Sequence, residues 1–227
     1  MICILVLLRH YTRVLYVDID VHHGDGVEEA FFTTNRVMTV SFHQYGDDFF
    51  PGSGNIHSVG EGLGKFHSIN VPMKPGMNDE TYVPLFKNIM NKVIEHFQPN
   101  VVVVQCGADS LVNDKLGNFN LSTHGHGECV NHMLKYGVPT ILLGGGGYTI
   151  TNVSRCWTYE TAVALNKTLD NNLPKIENYY EHYNPDFKLH LTVSCLFRLV
   201  FEHFLGETSC GKQKQPRIFT GNRNTML

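Results

Sequence analysis

Residues 14–26 read Val14-Leu15-Tyr16-Val17-Asp18-Ile19-Asp20-Val21-His22-His23-Gly24-Asp25-Gly26. An apolar, β-branched run that stops at acids and imidazoles has the form of a buried strand delivering its carboxyl end to a site. Asp18, Asp20 and His22 stand at i, i+2 and i+4, so along an extended chain their side chains point the same way. Two carboxylates and an imidazole are costly to bury together without a cation or strong donors. A single Asp or His at a strand end is usually a helix cap or a solvated turn. Three in phase, followed by His23 and Asp25, favour a metal.

Outward from this stretch, further apolar runs bounded by turn residues predict strands at Val37–Phe42, Phe66–Val71, Val101–Gln105 and Thr140–Leu143. Helical patterns lie between them. Asp79 is a candidate N-cap for a helix through Tyr82, Leu85, Ile89, Val93 and Phe97, stopped by Pro99. Ser122 starts a second, ending near Gly137-Val138-Pro139, and Asn152 caps a third through Trp157 to Leu165. Strands alternating with helices predict βαβ units and an α/β fold with a mostly parallel sheet covered on both faces. Pro51–Gly64, rich in Gly and Ser, reads as a surface loop.

Two more strand ends carry unusual residues. Gln105-Cys106-Gly107-Ala108-Asp109-Ser110 follows Val101–Val104. Alone, Asp109 would be an N-cap. With Asp20 and His22 it makes a set of three ligands that leaves a coordination position open, as catalytic rather than structural metal sites do. Such oxygen-rich ligation suits zinc and is compatible with iron or manganese. Leu143-Gly144-Gly145-Gly146-Gly147-Tyr148 follows the last strand. It lacks the GK[ST] ending or GxGxxG spacing of a phosphate loop. Consecutive glycines allow close backbone approach, and they favour holding the Tyr148 phenol over the metal rather than packing it on the loop. A phenol with a pKa of about 10 stays protonated at neutral pH and can donate to a developing oxyanion.

The 227 residues are 42% hydrophobic, enough for one sizeable core, and carry a formal net charge of -3. That charge argues against a phosphate-backbone binder held by bulk electrostatics. Six cysteines without a CxxC pair suggest neither a zinc ribbon nor a disulfide scaffold, and fit reduced thiols in the cytosol or nucleus. Met1–Leu8 is apolar but has no basic n-region or cleavage site, so a buried helix leading into the first strand is expected. No other apolar run is long enough for a bilayer span. The composition changes after His190: Leu191–Phe204 reads as a short apolar helix and Ser209–Leu227 as a polar, basic, frayed tail.

The blocks from Asp18 to Phe31, Gln105 to Leu111 and Leu143 to Tyr148 closely resemble the three hallmark blocks of class I histone deacetylases. Arg155-Cys156-Trp157-Thr158-Tyr159-Glu160-Thr161 and Pro185-Asp186-Phe187-Lys188-Leu189-His190 resemble that class in particular. The resemblance runs from about Leu5 to His190. It implies a three-layer arginase-like α/β fold, with residues 1–190 as part of the catalytic domain and 191–227 as a divergent tail. It also implies hydrolysis of acetyl-lysine on histone tails and other proteins, nuclear localisation, and transcriptional repression with corepressor subunits. By the same resemblance Asp20, His22 and Asp109 bind zinc and Tyr148 polarises the acetyl carbonyl. Phe50, Leu116 and Gly146 contact the acyl-lysine, and Asp18 and Asp25 orient two tandem catalytic histidines. Potassium is implied at Asp18, Asp20, His22, Ser41 and Phe42. A second potassium site is implied around Phe31, Thr34, Val37 and His67, where the family usually has tyrosine in place of His67.

Those tandem histidines lie upstream of the Asp18 block in the family, and the only adjacent pair here, His22-His23, already serves the metal motif. The front of the domain, with its share of the sheet and the general base, is therefore expected to be missing. An incomplete gene model, a splice product or a truncated paralogue would each account for this. Thr151 stands where inositol-phosphate-binding members have arginine, while Lys115 keeps a positive charge at another matching position. The alternatives are a non-catalytic regulatory fragment that retains corepressor surfaces, a deacetylase of acetylpolyamines, and a two-manganese ureohydrolase. The last would need more carboxylate ligands and would not need the Gly144–Tyr148 block.

Overall fold

The computed structural model describes residues 1–46, 48–175 and 179–191. The apolar runs form five strands: β1 (Val14–Asp18), β2 (Val37–Gln44), β3 (Ser68–Met73), β4 (Val101–Gln105) and β5 (Thr140–Leu143). All pair in parallel, in the order β3-β2-β1-β4-β5. β1 is central and buried along its whole length. Its register sets Asp18, the last residue of β1, beside Ser41 within β2 and beside Gln105, the last residue of β4, so these polar side chains gather near one edge of the sheet.

Among the described residues, five α-helices cover the sheet: α1 (Ile2–Leu7), α2 (Asp25–Phe31), α3 (Asp79–Phe97), α4 (Thr123–Leu134) and α5 (Ile150–Ala164). Alternation along the strands divides the core. Leu15, Val17, Val40, Phe42, Val102 and Val104 pack in one layer with Tyr82, Phe86 and Met90 of α3, Val130 and Met133 of α4, and Cys156 of α5. Val14, Tyr16, Val37, Val101 and Val103 pack on the other face with Ile4 of α1 and Phe31 of α2. This is the expected α/β architecture, with a parallel sheet between two helical layers. No helix among the described residues is long and apolar enough to cross a membrane.

Several local expectations change. The third strand starts at Ser68, because Phe66 has φ 69° and is left-handed, which breaks extended pairing there. The cap of α3 is Asn78, which forms a reciprocal capping box with Thr81. Asp79 instead accepts the backbone N–H of Ser122 at 2.9 Å and its hydroxyl at 2.5 Å, joining the starts of α3 and α4. Ser122 does cap α4, accepting from the N–H groups of His124 and Gly125. Helix α5 begins before Asn152, at a Thr149 cap, and Asn152 donates to the Val112 carbonyl at 3.2 Å. Helix α1 forms, but only Ile4 is fully buried. A helix of under two turns presents one stripe to the sheet, which leaves Ile2, Leu5 and Val6 at least half exposed. Beyond Leu191, the readings for Leu191–Phe204 and Ser209–Leu227 lie outside the described residues.

The helices also grip the loop that leaves β4. Trp157 Nε1 donates to the Cys106 carbonyl at 2.8 Å, and His126 Nε2 to that of Gly107 at 3.0 Å. The other ring nitrogen of buried His126 bonds to the Glu160 carboxylate, also buried. With an acceptor at each nitrogen, the imidazole either holds two protons or shares one with the carboxyl group. Glu160→Ala leaves that buried charge unpaired and should cost about 3–5 kcal/mol, read as a lower urea midpoint at unchanged slope. Lys92→Ala, which breaks a solvent-exposed pair with Glu95, should leave the midpoint in place.

Candidate active site

Past Asp18 the chain leaves the sheet and turns. The Asp20 N–H donates to Asp18 Oδ1 at 3.1 Å and the His22 N–H to Asp20 Oδ1 at 2.9 Å. The side chains expected to align along an extended strand therefore converge through two successive turns, each closed by a carboxylate on the N–H two residues on. Asp109 arrives from the 3-10 turn Ala108–Ser110 after β4. Its Oδ1 accepts from the Val21 N–H at 2.9 Å and its Oδ2 lies 2.9 Å from His22 Nδ1, which is also 3.1 Å from Asp20 Oδ1. Potential ligand atoms of Asp20, His22 and Asp109 all lie within 4.8 Å of one another.

Two glycines make this convergence possible. A Cβ on Gly107 would sit 2.0 Å from Asp20 Oδ2, and one on Gly146 would sit 2.0 Å from Asp109 Oδ2. The Gly146 N–H donates to Asp20 Oδ2 at 2.8 Å, and Gln105 Nε2 reaches the same oxygen at 3.0 Å. Residue order alone gives Gln105 no role. The signal was there, as a polar residue ending an apolar strand.

The electrostatics are those of a crowded set of acids around one imidazole. Hydrogen bonds to Asp109 and Asp20 push the His22 imidazole up to about 10, against the opposing effect of burial. Burial raises Asp109 to about 6, and the Asp20 charge adds to this against hydrogen bonds from His22 and Val21. Burial would raise Asp20 too, but donors from His22, Gln105 and the backbone hold it below the usual carboxylate range. Burial and the Asp20 charge raise Asp18 well above its ordinary value, although the Tyr16 hydroxyl donates to it at 2.6 Å. Two carboxylates around one imidazole, with backbone donors on their outer oxygens, suit a divalent ion coordinated by nitrogen and oxygen. A second cluster, His126, Cys156 and Glu160, is equally close-set. Its imidazole nitrogens are already committed to Gly107 and Glu160.

Asp20 and His22 line an open cleft of roughly 630 Å³ together with Asp18, Phe49, Phe50, Leu116, Gly146 and Tyr148, while Asp109 is fully buried and reaches the site through His22. Tyr148 stands edge-on to His22, ring centroids 6.5 Å apart, on the turn after β5. Phe50 borders the cleft as expected but is 75% exposed. Phe49, which sequence reading passed over, stacks on the His22 ring at 5.2 Å. Asp25 is exposed in the first turn of α2, where it accepts from the Gly26 N–H. Ser41 lies beside Asp18 on β2, between the Gly24 N–H and His43 Nδ1. His67 packs against Phe97 and contacts the Lys65 carbonyl.

The family model described as the histone deacetylase domain matches residues 1–164. The chain is 59% identical over 193 residues to the probable histone deacetylase 19 of Zea mays, covering 85% of this chain and 37% of that protein. It is 58% identical over 191 residues to the histone deacetylase HDAC1 of Drosophila melanogaster, covering 84% and 36%. It is 56% identical over 193 residues to histone deacetylase 1 of Homo sapiens, covering 85% and 40%. The chain thus spans well under half the length of these relatives. Residue identity at this level, across the strands that carry Asp20, His22, Asp109 and Tyr148, shows that the chain belongs to the histone deacetylase family.

Proposed function

We propose that these residues form the metal-binding and carbonyl-polarising part of a zinc-dependent lysine deacetylase. Its substrate would be acetyl-lysine on histone tails and other proteins, and its place the nucleus, within corepressor assemblies that repress transcription. Residues 1–190 would be the catalytic portion and 191–227 a divergent tail. The observation that carries this reading is the convergence of Asp20, His22 and Asp109 beside a cleft that Asp20, His22 and Tyr148 line.

In this reading Asp20, His22 and Asp109 hold zinc, which supplies Lewis acidity and lowers the pKa of a water. Tyr148 donates its phenolic hydrogen bond to the amide carbonyl oxygen as negative charge develops there. Burial and the nearby Asp109 and Asp20 charges raise its pKa, which keeps that proton in place at neutral pH. Phe49, Phe50 and Leu116 flank the aliphatic stem of the lysine, and Gly146 lets the acyl group lie close to the ligands. Potassium would be held at Asp18, Asp20, His22, Ser41 and Phe42, with Phe31, Thr34 and Val37 as a second site. Asp18 and Asp25 would orient a histidine base of the kind that the family places upstream of the Asp18 block. His23 is buried with both ring nitrogens engaged, by Ser53 at 2.8 Å and Glu28 at 2.9 Å.

The chain should bind about one equivalent of zinc, and Asp109→Ala should abolish binding, since two protein ligands are too few for a tight tetrahedral site. Metal analysis after dialysis checks this, and unchanged zinc in the variant would refute the ligand set. The ion must displace the proton held by His22, at about 10, and at acid pH also that of Asp109, at about 6. Affinity should therefore rise with pH, with release of about one proton near pH 8 and closer to two near pH 5. Calorimetry in buffers of differing ionisation enthalpy measures that count.

Residues 1–227 alone should hydrolyse an acetyl-lysine peptide at least ~10²-fold more slowly than a chain that also carries the upstream histidine pair, the usual scale of general-base catalysis. Tyr148→Phe should depress the longer chain as well. Comparable turnover by the short chain, lost in Tyr148→Phe, would place the base within these residues.

A further inference from the structure

Tyr148 is 41% exposed, with its ring edge-on to His22, so its position leans heavily on its backbone. The preceding Gly147, at φ +137°, adopts a conformation that L side chains rarely take, and offers the turn no side chain to anchor it. The anchor is a carboxylate outside the cleft. Asp114 Oδ2 accepts the Tyr148 backbone N–H at 2.7 Å, while its Oδ1 accepts those of Leu116 at 2.8 Å and Gly117 at 3.0 Å. Hydrogen bonds to an ionised acceptor are roughly twice as strong as neutral ones.

The surrounding contacts make Asp114 the centre of a staple between two loops. Thr149 Oγ1 donates to the Asn113 carbonyl at 2.7 Å and Asn152 Nδ2 to that of Val112 at 3.2 Å. At the far end of the same loop, a Cβ on Gly117 would come within 1.9 Å of the Asp109 carbonyl oxygen. The 112–117 loop therefore abuts the backbone of the ligand Asp109 and bonds the backbone of Tyr148. We propose that Asp114 is a positioning residue that fixes Tyr148 over the metal ligands and couples it to Leu116 at the rim of the cleft. This rests on the role proposed above for Tyr148.

The test is a double-mutant cycle on the zinc-loaded chain, using acetohydroxamate as a small bidentate probe whose oxygen accepts from Tyr148. Asp114→Asn replaces one acceptor oxygen by a donor that faces backbone N–H groups. Asp114→Asn and Tyr148→Phe should each weaken the probe roughly ten- to hundredfold without changing zinc content. The double variant should bind no more weakly than Tyr148→Phe, because Asp114 acts only through the phenol. A merely structural role predicts losses that multiply, and that result would overturn the proposal. So would unchanged probe affinity in Asp114→Asn beside a weakened Tyr148→Phe. If Asp114→Asn loses zinc, Asp114→Glu, which keeps the carboxylate, takes its place. Loss of zinc from both would mean that Asp114 supports the metal loop instead, and the proposal fails. Full probe affinity in Tyr148→Phe, or no zinc uptake by the unmodified chain, would sink the functional reading and the proposal with it.

Discussion

Everything at the site depends on the position of β1 between β2 and β4 in a flush parallel register. Val14 opposes Val37 on one side and Val101 on the other, so Asp18 ends level with Ser41 and Gln105. Parallel strands put all their carboxyl ends on one edge, and three chain segments distant in sequence emerge there together. A slip of β1 by one residue would move Val17 to the face opposite Val40 and carry Asp18 out of level with Ser41 and Gln105. The apolar alternation that builds two packed layers is therefore the same constraint that brings Asp20, His22 and Asp109 together.

Holding Asp20 and Asp109 around His22 works against folding stability. Their charge is offset by directed donors: the Gly146 and Val21 N–H groups, Gln105 Nε2 and the imidazole itself. The glycines at 107 and 146 admit this proximity but give nothing to the core. Such a cluster is affordable only because the sheet beneath it is densely packed.

Around this centre lie buried polar networks with the same logic. Glu28 receives Ser58, Asn70 and His23, and His43 Nε2 donates to the Gly54 carbonyl. These bonds fold the tip of the Pro51–Gly64 loop onto the sheet edge beside the cleft. His126 with Glu160 does the same for the loop after β4. Each network satisfies buried polar atoms that would otherwise destabilise the fold, and each pins a loop that borders the site.

Much of this was legible in residue order. Periodic apolar runs marked β1, β4 and β5 almost to the residue. The acids and imidazole past the ends of β1 and β4 picked out the residues that converge, Asp20, His22 and Asp109, because side-chain chemistry and strand polarity are local properties. Errors fell where competing partners are distant. Asp79 and Asn152 look like caps, yet Ser122 and Val112, brought close only by folding, claim their side chains. The stacking of Phe49 on His22, the two turns that gather Asp20 and His22, and the three N–H groups on Asp114 were likewise invisible. Local pattern determined which groups could do chemistry. Only the tertiary packing decided which backbone donors hold them, because a hydrogen bond between residues dozens of positions apart leaves no periodic trace in the chain.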